Sequence, residues 1–442
     1  MDRPDPTWTD PDLLAPGALD PADLDPADLD PDPTSDYERL DAPDAGVPEV
    51  VETEEGLARA VAAIAAGSGP VAVDAERASG YRYGQKAYLV QLRREGAGTW
   101  LIDPVPLGDL SVVDEVLGGT EWVLHAATQD IPCLDEVGMR PRALFDTELG
   151  ARLAGLPRVG LSASMEYYLG VTLAKEHSAV DWSTRPLPEP WLRYAALDVE
   201  LLVELRDRME RDLLEQGKLE WARQEFAALV DFQGPQKDQA EAWRRTSGMH
   251  KLRKPRANAV LRELWWARDG VARERDVAPG RVVPDSTLVD LAARMPRQPS
   301  DLAAARPDQS HSRQRRAQQG LLRYQRTWLS AIKRGLELPE DELPEPTPRG
   351  DGPPPPRAWV DRDPAAAARL ELARGDLAAL SERVDVPVEN LMTPDLVRRV
   401  LWRPPRPATA ASVDVALAEL GARPWQRELV APLLAAAVDE HP

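Results

Sequence analysis

The sequence predicts a mixed α/β domain, a sheet flanked by helices, followed by two all-helical modules. Three observations carry this prediction. Strand-like apolar runs cluster between residues 71 and 125, and helical periodicity dominates afterwards. A break at Gln233-Gly234-Pro235 is followed only by helical patterning. A Pro-rich stretch, Leu338 to Pro356, separates two helical blocks. At 442 residues the chain is also too long for a single core.

The chain begins with an acidic segment that repeats Leu-Asp-Pro-Ala-Asp between Leu19 and Pro31. Such a segment buries too little apolar surface to offset its ordering entropy, so residues 1–46 are expected to be a disordered acidic, Pro-rich tail. Residues 1–56 hold eighteen acids against two arginines, about −16 of the net charge of −20. The remainder is close to neutral and can carry local basic patches, so the total charge does not exclude a nucleic-acid partner. The N-terminus is acidic and lacks an apolar core, unlike a signal peptide. No apolar run reaches about 18 residues, so no membrane span is expected. The single cysteine, Cys133, excludes an intramolecular disulfide and fits a reducing cytosol, hence a cytoplasmic location. A monomer is expected.

Order is expected from about residue 48. Glu54 to Ala66 reads as a helix, with Leu57, Val61 and Ile64 on one face and Gly67 as its stop. Strands are expected at Val71–Asp74, Tyr88–Leu92, Thr99–Ile102 and Trp122–His125, with a Gly80/Gly84 turn between the first two. Short helices follow at 109–117, 131–137 and 147–153. A loop, 174–190, leads into one long helix from Glu189 to Gln216. The first helical module, 238–335, opens on basic residues and carries helices at 260–275, 286–294 and 314–334, with Asp285 or Ser286 as an N-cap. A linker spans 336–358. Residues 360–440 look like a degenerate second copy: Asp385-Val386-Pro387 echoes Asp276-Val277-Ala278.

Chemistry is suggested by four acids. Val71-Ala72-Val73-Asp74-Ala75-Glu76 ends a strand with two carboxylates on one face. At about 4 Å they repel by roughly 4 kcal/mol at an effective dielectric of 20. Asp130 lies just past a strand end, and Tyr194 and Asp198 are one helical turn apart. Singly, each acid is as well explained as a solvated surface group. Together they would repel unless cations sat among them. Two divalent cations about 3.5–4 Å apart, Mg²⁺ or Mn²⁺, suit oxygen ligands and can clamp a phosphodiester.

At these residues the sequence resembles the ribonuclease D family, the tyrosine subgroup of the DEDD 3′-to-5′ exonucleases. The matching motifs are Asp74-x-Glu76, Asp130 within His125-x-x-x-Gln129-Asp130, and Tyr194-x-x-x-Asp198. Phe145-Asp146-Thr147 and Asp181-Trp182-x-x-Arg185-Pro186-Leu187 also resemble family sequence, and the likeness covers residues 48–232. It implies an RNase H-like sheet and catalytic roles for Asp74, Glu76, Asp130, Tyr194 and Asp198. The four acids would be metal ligands, with Asp74 shared between two ions. Tyr194 would orient the attacking water. Tyr81, Tyr83 and Gln91 could contact the terminal nucleotide, and Arg185 could hold a phosphate or else pair with an acid. His125 reads as a packed strand-end residue, His177 as a loop residue, and Asp146 as support for the fold.

Residues 238–335 resemble the helicase-and-RNase-D C-terminal (HRDC) domain, on Leu261-Arg262-x-Leu264-x-x-Ala267-Arg268 and Asp276-Val277-Ala278-Pro279-x-Arg281. The second copy departs from the pattern, with Thr393-Pro394 where Pro284-Asp285 is expected, and docking is a role for it as good as binding. The basic run Arg313, Arg315 and Arg316 reads as a solvated face or as phosphate contacts. The resemblance implies an exoribonuclease acting on RNA 3′ ends, single-stranded or transfer-RNA precursor, and releasing nucleoside 5′-monophosphates. The alternatives are a DNA exonuclease with the same site and a non-catalytic RNA-binding scaffold.

Overall fold

The computed structural model describes residues 37–173, 180–234, 240–303, 311–345 and 352–442. His177 and most of the acidic segment lie outside the described residues. The described strands are β1 (Glu38–Leu40), β2 (Val50–Val51), β3 (Ser68–Arg77), β4 (Ala87–Glu95), β5 (Gly98–Ile102), β6 (Trp122–Leu124), β7 (Leu144–Asp146) and β8 (Val171–Leu173). Among the described residues, six of them form one sheet in the order β2-β5-β4-β3-β6-β7. The β3/β4 and β4/β5 pairs are antiparallel; β2/β5, β3/β6 and β6/β7 are parallel. The sheet is therefore mixed, as the sequence predicts. Its centre is built from Val71, Val73, Val90, Leu92 and Val123, all buried.

Helices cover it. The Glu54–Ala66 helix starts where Thr53 accepts from the Gly56 N–H at 3.1 Å, with Glu54 and Glu55 in the first turn. The expected long helix at 189–216 is instead two, Glu189–Glu200 and Leu202–Glu215, broken at Leu201. The first packs on β3, β4 and β5, the second on β6 and the Thr147–Leu153 and Leu161–Leu169 helices. A straight helix cannot follow both surfaces. The end of the expected disordered tail, residues 37–46, is corrected: β1 pairs in parallel with β8, and the Asp44 N–H donates to the buried Glu200. Acidic, Pro-rich composition did not reveal that a strand edge elsewhere offered this segment a partner.

The first helical module has a separate core, with Trp243, Leu261, Leu288 and Trp328 at its centre. Its helix expected at 314–334 is broken at Tyr324. Asp285 is not an N-cap; its carboxylate holds Arg268 at 2.6 Å and the Ser247 N–H at 2.8 Å, and Pro284 occupies the cap position. The faint internal repeat is structural. Helices Pro255–Arg275 and Pro364–Val384 each have 21 residues and end on a left-handed aspartate, Asp276 (φ 48°) and Asp385 (φ 50°). Each is followed by a four-residue helix, Pro279–Val282 or Val388–Leu391.

Both aspartate elbows touch the α/β unit. Gly155 (φ +84°) lies so close to Asp385 that a Cβ there would collide with its carboxylate, and Lys218 Nζ donates to the carbonyls of Leu153 and Asp385. The second module's apolar core is continuous with that of the α/β unit. Trp425 stacks on Trp221 at 4.9 Å, and its indole N–H donates to Glu225 at 2.9 Å. The first module docks through polar groups at Gly80–Tyr83 instead.

Candidate active site

The site lies where β3 runs out. Asp74 and Glu76 share one face of that strand, and the Glu189–Glu200 helix crosses the same end of the sheet carrying Tyr194 and Asp198. Asp74, Glu76 and Asp198 each bring a carboxylate oxygen within 4.8 Å of the others. Asp130 is buried beside them, at the start of the Ile131–Asp135 helix. It stands outside the tightest trio, but its charge acts on Glu76.

A local device delivers Asp130. Ala126 adopts φ 62°, unfavourable for a residue with a Cβ. Asp146 holds the turn: its carboxylate accepts from the N–H groups of Ala126 (3.1 Å) and Ala127 (2.8 Å) and caps the Thr147–Leu153 helix through Glu148 and Leu149. Asp146 therefore supports the fold. His125 bonds Thr147 Oγ1 at 2.9 Å, and burial pulls its pKa down to about 4. It is a packed, neutral residue.

Burial and mutual repulsion make the cluster costly to ionise. Burial pushes Asp74 up to about 6. Burial and then the neighbouring carboxylates hold Glu76, Asp130 and Asp198 well above the usual carboxylate range. The Tyr194 hydroxyl donates to Asp198, and burial keeps it protonated far above the ordinary phenol value. Four hard oxygen donors, at least three of them convergent, fit a divalent cation of the Mg²⁺ or Mn²⁺ type.

Four residues expected near the substrate, Arg185, Tyr83, Tyr81 and Gln91, are engaged or enclosed by the fold, and for Arg185 the structure takes the acid-pairing alternative. Arg185 spends its guanidinium on the fold: Nε and Nη2 grip the buried Asp103 at 2.6 and 2.8 Å, while Nη1 and Nη2 donate to the carbonyls of Trp182, Thr184 and Tyr88. Tyr83 donates to Asp269 at 2.8 Å, accepts from Arg273, and so docks the first helical module. Tyr81 lies under Arg281, 4.0 Å from ring centroid to guanidinium carbon. Gln91 is 0% exposed, so no substrate reaches it. It is the cross-strand partner of Asp74, and among the described residues neither end of its amide has a hydrogen-bond partner. Each orphaned end costs about 1–3 kcal/mol.

One residue escaped sequence reasoning. Arg77 follows Glu76 directly, bonds Gln129 at 3.4 Å, and lowers the pKa values of Asp74, Glu76 and Asp130. A lone cation next to an Asp-x-Glu pair was the available signal.

Comparison with known proteins places these features in company. The chain matches the family model described as 3′-5′ exonuclease over residues 48–214, the HRDC domain over 257–320, and the 3′ to 5′ exonuclease C-terminal domain over 352–438. Ribonuclease D of Pseudomonas paraeruginosa is 34% identical over 266 residues, 59% of this chain and 68% of the relative. Ribonuclease D of Escherichia coli is 30% identical over 302 residues, 67% of this chain and 77% of the relative. A solved protein from Bifidobacterium adolescentis is 38% identical with a TM-score of 0.81, covering 91% of this chain and 100% of its own. The structure of Escherichia coli RNase D, described as an exoribonuclease involved in structured RNA processing, is 26% identical with a TM-score of 0.64, covering 89% of this chain and 99% of its own.

Proposed function

The chain belongs to the ribonuclease D family and is a 3′-5′ exonuclease, and from that premise we propose that it trims RNA from the 3′ end by metal-dependent hydrolysis, releasing nucleoside 5′-monophosphates. The observation that carries this reading is the convergence of the Asp74, Glu76 and Asp198 carboxylates within 4.8 Å. We assign these three and Asp130 as ligands of two divalent cations, Mg²⁺ or Mn²⁺. Bound there, such cations supply positive charge to the phosphodiester and acidify water.

The protein's own groups do the rest. Asp74, Glu76 and Asp198 hold the charge that fixes the cations, and the Asp146 turn sets Asp130 against them. Tyr194 keeps its proton and orients by hydrogen bonding rather than acting as a base. Substrates are RNA 3′ ends, including those of stable RNAs such as transfer-RNA precursors. Residues 48–232 form the catalytic unit, 238–335 the nucleic-acid-binding module, and 360–440 a docked module.

The test is direct. With Mn²⁺, the protein should shorten 3′-labelled single-stranded RNA to 5′-monophosphates, and Asp74→Asn should lower the rate by at least about 10³-fold. Full activity in pure Asp74→Asn protein discards the site. A single-stranded DNA substrate run alongside decides the nucleic acid: faster trimming of DNA would replace RNA as substrate.

A further inference from the structure

We propose that Gln91 is a positioning residue for the cation site, its amide holding the Asp74 carboxylate in the ligating orientation once cations are bound. The inference rests on the reading of Asp74 as a ligand. Gln91 sits opposite Asp74 in the β3/β4 register, and cross-strand partners in an antiparallel pair project to the same face. Two of the residues flanking it there, Leu89 across from Glu76 and Leu101 on β5, are apolar and packed with Ala195 and Ala196 of the helix bearing Asp198. Arg93, two residues along the same face, is taken up by Glu200 and Thr99, whereas Gln91 lies directly beneath the site, fully buried and with both amide atoms unpartnered among the described residues.

Packing alone does not call for an amide here, since a leucine or methionine fills similar space without orphaned polar atoms. What the amide can do is hydrogen-bond the neighbouring carboxylate. Partner Cβ atoms lie about 4.5–5.5 Å apart, so rotation about the side-chain torsions of Gln91 brings its NH₂ to Asp74. An ionised carboxylate has about four lone-pair sites, so one that would hold cations can still accept such a bond. Groups that orient ligands in this way typically change metal affinity by 10–100-fold.

The experiment reads cation binding without turnover. Full-length wild type, Gln91→Leu and Gln91→Met are melted over a series of Mn²⁺ concentrations, because a ligand that binds the native state raises Tm according to its Kd. Gln91→Leu should melt no lower than wild type in chelator and should need about 10–100 times more Mn²⁺ for the same rise. Gln91→Met, closer in length, serves if the leucine variant does not fold. An unchanged Mn²⁺ dependence in either folded variant overturns the proposal. Asp74→Asn is the parallel control: if it keeps the Mn²⁺-induced rise, the cation site itself is wrong; if it loses the rise while Gln91→Leu keeps it, only the role of Gln91 falls.

Discussion

Arg185→Ala separates a substrate contact from a structural one. The guanidinium is 27% exposed and Asp103 only 1%, so the pair is effectively interior. Removing the arginine leaves a buried carboxylate whose remaining partner among the described residues is the Val105 N–H at 2.8 Å. It also frees the carbonyls of Tyr88, Trp182 and Thr184 from their donor. Breaking a buried pair from one side costs about 3–5 kcal/mol. For a unit of 150–250 residues, each kcal/mol lowers Tm by about 2–4 °C, so a loss of roughly 6–20 °C is expected. Thermal melting by circular dichroism measures it, and KM for a 3′-labelled RNA is measured well below the new Tm. A melting temperature within about 2 °C of wild type together with a raised KM would refute the structural assignment and return Arg185 to the substrate.

Other outcomes follow from the same geometry. Tyr194→Phe should lower kcat about 10–100-fold through loss of the hydrogen bond to Asp198 while leaving RNA affinity near wild type in a filter-binding assay. Trp425→Ala removes the stack on Trp221 and the bond to Glu225, and should destabilise the docked module by about 3–5 kcal/mol, seen as a lower Tm. For pH, the site carboxylates are raised in the folded chain, Asp74 from 3.8 to about 6. The folded state then holds more protons than the unfolded one, so the stability they contribute is full below the unfolded value and is lost as pH rises through the folded one. Without metal, Tm should therefore carry a falling contribution between about pH 4 and 7 that Asp74→Asn reduces, and the gain in Tm from Mn²⁺ should be larger at pH 8 than at pH 5.

The clustered acids were legible because their motifs are local: a strand-end Asp-x-Glu, a helix-start Asp130 and a Tyr-x-x-x-Asp turn each fit within six residues. The supporting roles were not, because each depends on a distant partner. Arg185 meets Asp103 from 82 positions away, and Tyr83 meets Asp269 from 186. A short motif names a residue type but says nothing of which acid already occupies it. Strands β1, β2, β7 and β8 were missed for a related reason: at two or three residues they carry no period.

By itself the sequence determined the mixed α/β unit, the helical modules, the repeated aspartate elbow and the acids that converge, since periodicity, punctuation and residue chemistry are written along the chain. Only the tertiary structure decided which polar groups face the site and which are consumed in holding it. A guanidinium, a phenol or a buried amide takes its role from the groups within about 3 Å of it, and that neighbourhood exists only once the chain has folded.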